Sequence, residues 1–142
     1  MNGERRVFRA LEDRQCWMLL RNSEVGRVVY TQNALPAIAP VNYTLHGRDV
    51  VIRTAPGSKL DAALRGAVVA FEIDQIDAGA RSGWSVVVVG RARVETDAAA
   101  IAELDGLRLV TWMPDERPHY VRITAEQVTG RLLDGRLEPP PW

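Results

Sequence analysis

Short runs rich in β-branched residues, divided by turn signals, dominate the chain from residue 25 onward. Residues 25–31, 35–45, 50–54, 67–76 and 81–95 read as strands, and 120–123 and 127–130 as two more. Gln32-Asn33 and His46-Gly47-Arg48-Asp49 supply hairpin turns. Pro36 and Pro40 place the second strand at a sheet edge or a bulge, because proline donates nothing to a ladder. Helical patterning is confined to three places. Residues 9–22 lack Pro and Gly and carry apolar weight at Leu11, Cys16, Trp17, Met18, Leu19 and Leu20. Residues 58–65 follow with Leu60, Ala63 and Leu64, and Thr96-Asp97 caps a helix over 98–104. Many short strands with few short helices predict a mainly β fold, a Greek-key-like antiparallel barrel, in a single domain over residues 1–142. Residues 138–142, Glu-Pro-Pro-Pro-Trp, read as an extended tail.

Val86, Val87, Val88 and Val89 are consecutive, so both faces of their strand need cover. One face meets the barrel core and the other needs a partner, which predicts a homodimer. Lys plus Arg (18) equals Asp plus Glu (18), and no basic tract stands out, so neither nucleic acid nor a membrane surface is an expected partner. No apolar run nears the roughly 20 residues of a membrane span, and the first residues lack a signal-peptide core. One cysteine cannot form an internal disulfide. The expectation is a cytoplasmic protein.

The candidate chemistry lies between the third strand and the second helix. Arg53, Thr54, a Pro-Gly turn, Ser58 and Lys59 fall within seven residues, just ahead of a helix start. Guanidinium, hydroxyl, ammonium and helix N–H groups together suit a phosphate dianion. The structural alternative is also plain: Ser58 followed by Asp61 fits a helix capping box that needs no ligand.

Three blocks occur in order: Pro40-Val41-Asn42-Tyr43, then Arg53-Thr54-Ala55-Pro56-Gly57-Ser58-Lys59-Leu60, then Arg81-Ser82-Gly83-Trp84-Ser85-Val86 with Gly90-Arg91-Ala92. In these blocks the chain resembles the pyridoxamine 5'-phosphate oxidase-like, FMN-binding split-barrel family, in particular its small actinobacterial-type members. The resemblance implies a split β-barrel homodimer with FMN in grooves at the subunit interface. It implies that Arg53, Ser58 and Lys59 hold phosphate, with Thr54 close by. It sets Val41, Asn42 and Tyr43 along the ring or ribityl chain, and Ser82, Gly83, Trp84 and Ser85 near the cofactor from the second subunit. Trp112 is a further candidate for ring contact. The resemblance extends to small proteins that bind the deazaflavin F420, and to others that bind haem or flavin without a clear reaction. The expected function is therefore an FMN-dependent oxidoreductase acting on a small molecule, with an F420-dependent reductase or a flavin-storage protein as alternatives.

No second compact Arg/Lys/Ser cluster accompanies the first, which argues against a substrate with its own phosphate; Arg117, His119 and Arg122 have the spacing of an ordinary strand. A flavin brings the redox chemistry itself, so a chain without a Ser-His-Asp or Cys-His set remains compatible with catalysis. The remaining residues have plain structural readings. Asn42-Tyr43 fits polar-out patterning, Trp84 interface packing, Cys16 a small buried hydrophobe and His46 a turn residue, while Glu72, Asp74 and Asp77 fit a solvent face. His119 is either a strand residue or a proton donor in the pocket. The two histidines and the cysteine show no metal-ligand spacing.

Overall fold

The computed structural model describes residues 7–107, 109 and 118–134. Along the chain run β1 (Val7–Ala10), α1 (Asp13–Arg21), β2 (Val25–Gln32), β3 (Leu35–His46), β4 (Asp49–Thr54), α2 (Lys59–Leu64), β5 (Val68–Asp77), β6 (Ser82–Val94), α3 (Ala98–Gly106) and β7 (His119–Asp134). The sheet order is β1-β7-β4-β3-β2-β5-β6, and β6 pairs back onto β7. Six strands thus close an antiparallel ring, with β1 attached alongside β7. This is the mainly β split barrel that the strand pattern and the family resemblance led us to expect.

Alternation along each strand fills the barrel. Val28, Val50, Ile52, Phe71, Val86, Val88, Val121 and Ile123 point inward and are fully buried. Val87 and Val89, one step out of phase, stay partly exposed on the outer surface. Next to Val89 in register lie Ala70, Val29 and the exposed Ile38, a stripe of small and branched apolar residues across four strands.

The helix expected over residues 9–22 is shorter, because residues 7–10 pair with the far end of β7 instead. Glu12 then caps α1 reciprocally with Gln15, and Cys16, Leu19 and Leu20 face inward at helical spacing. Gly130 is where this helix seats: a Cβ there would lie 2.6 Å from the Cys16 Sγ and 3.0 Å from the Leu11 side chain. The segments 120–123 and 127–130 belong to one strand of 16 residues. Its inner edge runs along β6, while its two halves serve β4 and then β1. The tail at 138–142 lies outside the described residues.

The barrel is split between β3 and β4. Their ladder runs only from Tyr43–Ile52 to His46–Asp49. Beyond it residues 35–42 pair with β2, while Arg53 and Thr54 pair with β7. The split explains both prolines. The Tyr43 N–H donates to the Glu24 carbonyl on the β2 side, so by alternation the nitrogens of Pro36 and Pro40 face the open side, where no ladder bond is lost.

Candidate functional site

The parted strands bring two of the three sequence blocks to one seam. On the β3 wall stand Val41, Asn42 and Tyr43; on the β4 wall stand Arg53 and Thr54, followed by the turn over residues 55–58 and α2. Neighbouring strand residues face opposite ways, and this sorts the candidates. Arg53 is half-buried on the outer side, where its guanidinium donates to the Leu109 carbonyl at 3.5 Å. Thr54 is buried on the inner side, and its hydroxyl donates to Asp61 Oδ1 at 2.7 Å.

Asp61 organises the inner side. It is 2% exposed, and besides Thr54 its carboxylate accepts from the Gly57 N–H (3.4 Å) and from Arg65 (3.5 Å). His119 Nδ1 lies 2.9 Å from Oδ1. Burial alone would raise the carboxyl's pKa. The hydrogen bonds from Thr54, His119 and the Gly57 N–H, with the charge of His119, outweigh that and hold it below the ordinary value. The capping box is therefore half made. Ser58 Oγ accepts the Asp61 N–H at 3.1 Å, but the carboxylate turns to Thr54 and His119, and the Ser58 N–H bonds the Ala55 carbonyl at 3.0 Å. Lys59 is exposed at the start of α2. With six residues, α2 offers only a short helix dipole.

On the opposite wall only Asn42 turns its side chain outward. Val41 packs against the core, and Tyr43 is buried edge-on to Phe71, ring centroids 4.7 Å apart. The Tyr43 hydroxyl donates to the Leu20 carbonyl at 2.6 Å, anchoring α1 to the barrel. Val41 and Tyr43 thus offer a ligand their backbone rather than their side chains. Tyr43→Phe is expected to cost about 1–2 kcal/mol of stability by orphaning that carbonyl, with ligand affinity unchanged; urea denaturation and a binding titration check the two halves.

Residues 12–132 match the sequence profile of the pyridoxamine 5'-phosphate oxidase family. The chain belongs to that family. An uncharacterised protein of Mycobacterium tuberculosis is 39% identical over 125 residues, covering 84% of this chain and 82% of the relative. Among solved structures, the FAD binding protein from Mycobacterium smegmatis is 38% identical with a TM-score of 0.75, covering 88% of this chain and 97% of its own. A Corynebacterium diphtheriae protein of unknown function is 32% identical with a TM-score of 0.76, covering 89% and 98%.

In this pyridoxamine 5'-phosphate oxidase-like chain the third block is spread along β6, with its 82–85 part at one end and Gly90-Arg91-Ala92 beside the end of α2. Gly83 pairs with Ile76 and Leu133 at one end of β6, whereas Ala92, near the other end, bonds Ala67 and Gly66 just past α2. Nine residues of strand separate them, about 30 Å. Trp84 packs against the core, and Ser82, Gly83 and Ser85 are half-buried at that far end. Trp112 and Arg117 lie outside the described residues.

Arg122 is held by its neighbours. It is buried and bonds Glu95 (2.8 Å), Asp49 (3.1 Å) and His46 Nδ1 (2.9 Å), so it ties β4, β7 and the approach to α3 together. His46 in turn reaches Glu103 of α3 through Nε2 at 2.9 Å, a structural part beyond that of a simple turn residue. Glu72 and Asp74 form ion pairs with Arg27 rather than a bare solvent face. Among the described residues no cluster of His, Cys, Asp and Glu could hold a metal, and no helix is long and apolar enough to cross a membrane.

A cleft of about 650 Å³ opens between α1, the β3–β4 hairpin and the residues after α3. Trp17, Arg21, Thr44, Arg48, Leu107 and Leu109 form much of its wall. The Arg48 guanidinium stacks 4.9 Å from the centroid of the Trp17 ring. The cleft shares Tyr43 with the β3 wall of the seam, and Leu109 accepts from Arg53.

Proposed function

We propose that this chain binds the FMN unit of a flavin nucleotide along the β3–β4 seam, and that it does so as a homodimer. One observation carries the proposal: the ladder between β3 and β4 stops at Tyr43–Ile52, so the strands part where Asn42 faces Arg53, and the Lys59 turn follows directly. Parted strands present backbone N–H and C=O groups, the complement of the amide-like edge of a flavin ring. Arg53 and Lys59 supply cationic donors for the phosphate. The flavin-binding description of the Mycobacterium smegmatis relative, which is 38% identical, supports the same ligand class. The FMN unit is common to FMN and FAD; F420 is the alternative on the same seam.

The homodimer completes the site. The block at 82–85 lies at the opposite end of β6 from Ala92, which bonds Gly66 just past α2, and in the proposed dimer it reaches the cofactor of the second copy. The apolar stripe of Ile38, Val29, Ala70 and Val89 is the surface such a copy would cover. A charge in that stripe, Val89→Asp, is expected to turn a dimer into a monomer on gel filtration and to lose the flavin with it. A wild-type protein that elutes as a monomer at micromolar concentration removes the proposal for assembly.

When bound, a flavin takes up or delivers a hydride. The chain's part is to hold the ring's polar edge with seam backbone and to give the reacting molecule room. The cleft beside Trp17 and Arg48 suits a small planar, anionic molecule: an aromatic wall, two guanidiniums against the single carboxylate of Glu24, and apolar sides. The function proposed is a flavin-dependent oxidoreductase acting on such a molecule. Identifying the ligand that co-purifies tests the cofactor: FMN or FAD supports the reading, and F420 alone overturns it. Rapid reduction of the bound flavin by NADH or NADPH separates the enzyme from a storage protein.

A further inference from the structure

Asp61 and His119 were not part of the phosphate cluster legible in the sequence, yet the fold builds them into it. His119 is the register partner of Thr54 across the β4–β7 ladder. Both side chains meet the same oxygen of Asp61, at 2.9 and 2.7 Å. The other carboxylate oxygen takes the Gly57 N–H, inside the turn that leads to Lys59. One buried carboxylate therefore fixes the end of β4, the turn and a ring from β7.

We propose that Asp61 is a positioning residue for the flavin phosphate, and that it sets His119 as a further phosphate contact through Nε2. This rests on the flavin reading above. Three features support it. The carboxylate pins Nδ1, so the imidazole cannot rotate and its second nitrogen points in one direction; among the described residues no protein group meets that nitrogen. The His119 side chain is 36% exposed whereas that of Asp61 is 3% exposed, so of the two only the imidazole is open to a ligand. An imidazole between a carboxylate and a phosphate donates from both nitrogens. The arrangement also explains how a carboxylate can sit beneath an anion: Thr54, Gly57, His119 and Arg65 all donate to it, two of them from cationic or cation-forming groups.

Two near-isosteres separate the two ring nitrogens. His119→Asn keeps a donor where Nδ1 meets Asp61 and removes Nε2; His119→Gln keeps a donor near Nε2 and removes the tie to Asp61. The experiment titrates the full chain, freed of co-purifying ligand, with FMN and with riboflavin, which differ only in the phosphate. The FMN-to-riboflavin affinity ratio is the readout, with melting temperature beside it. His119→Asn is expected to lower the ratio roughly tenfold at an unchanged melting temperature, and His119→Gln to lower it less. Asp61→Asn is expected to lower it at least as far as His119→Asn. The proposal is overturned if His119→Asn keeps the wild-type ratio, or if the variants weaken FMN and riboflavin equally. Equal affinity of the wild-type protein for both ligands instead refutes the phosphate reading itself. An Asp61→Asn protein that fails to fold leaves the two histidine variants to decide the matter.

Discussion

Replacing Arg53 and Lys59 together by alanine is expected to weaken flavin binding by roughly 100- to 10,000-fold. Each charge-assisted contact to a phosphate contributes about 1.5–3 kcal/mol, or roughly 10- to 100-fold in affinity. The two side chains stand on different elements and are not equivalent in the fold. Lys59 is exposed, so Lys59→Ala should remove affinity while leaving the melting temperature alone. Arg53 is half-buried and bonds the Leu109 carbonyl, so Arg53→Ala should also lose some stability. Flavin fluorescence titrations of both single variants and the double variant measure this. An unchanged dissociation constant in the double variant would sink the proposed phosphate site.

The largest effect on stability is expected at Gly90. This glycine sits at the register shift between β6 and β7, next to Val89. A Cβ added there would overlap the Thr124 carbonyl oxygen and lie 2.8 Å from its carbon. The obstacle is backbone, so no rotamer change relieves it. Gly90→Val should cost about 3 kcal/mol or more and lower the melting temperature by on the order of 10 °C. Gly106→Ala, with nothing within 4 Å of its added Cβ, is the control and should be near neutral. A Gly90→Val protein that melts within about 2 °C of wild type would show that the bulge is not tightly held.

The contrast between Gly90 and Lys59 shows what was legible in the sequence. Strands, turns and caps were, because they follow local rules: runs of β-branched residues in β2 and β6, a glycine turn before β4, Asp97 ahead of α3. The prolines in β3 correctly signalled an open edge, although the strand is interior over its other half. β1 was not legible, since the residues at 7–10 become a strand only through pairing with residues 131–134. β7 was divided in two because its pattern is interrupted by a bulge: Val89 pairs with Gln127 and Gly90 with Ala125, leaving Glu126 as the extra residue of β7.

At the site, sequence proximity grouped Arg53 with Thr54. Strand geometry sends them to opposite faces, where Thr54 serves Asp61. Asp61 looked like the acidic half of a capping box. Its true partners, Thr54 and His119, lie 7 and 58 positions away, and no short-range pattern connects the second. Tyr43 was grouped with Asn42 by adjacency, and the same alternation turns it to the core.

The length of β7 has a consequence for how the chain acquires its shape. It pairs with β1, β4 and β6, so the ring cannot close until residues 119–134 have been synthesised. Until then β4 lacks the neighbour that brings His119 to Thr54, and α1 lacks the bare backbone of Gly130 on which it rests. Contacts such as Val7 with Asp134 join segments more than a hundred positions apart, which places the protein among slow-folding topologies. On the ribosome, the nascent chain would expose the edges of β4 and β6 throughout that wait.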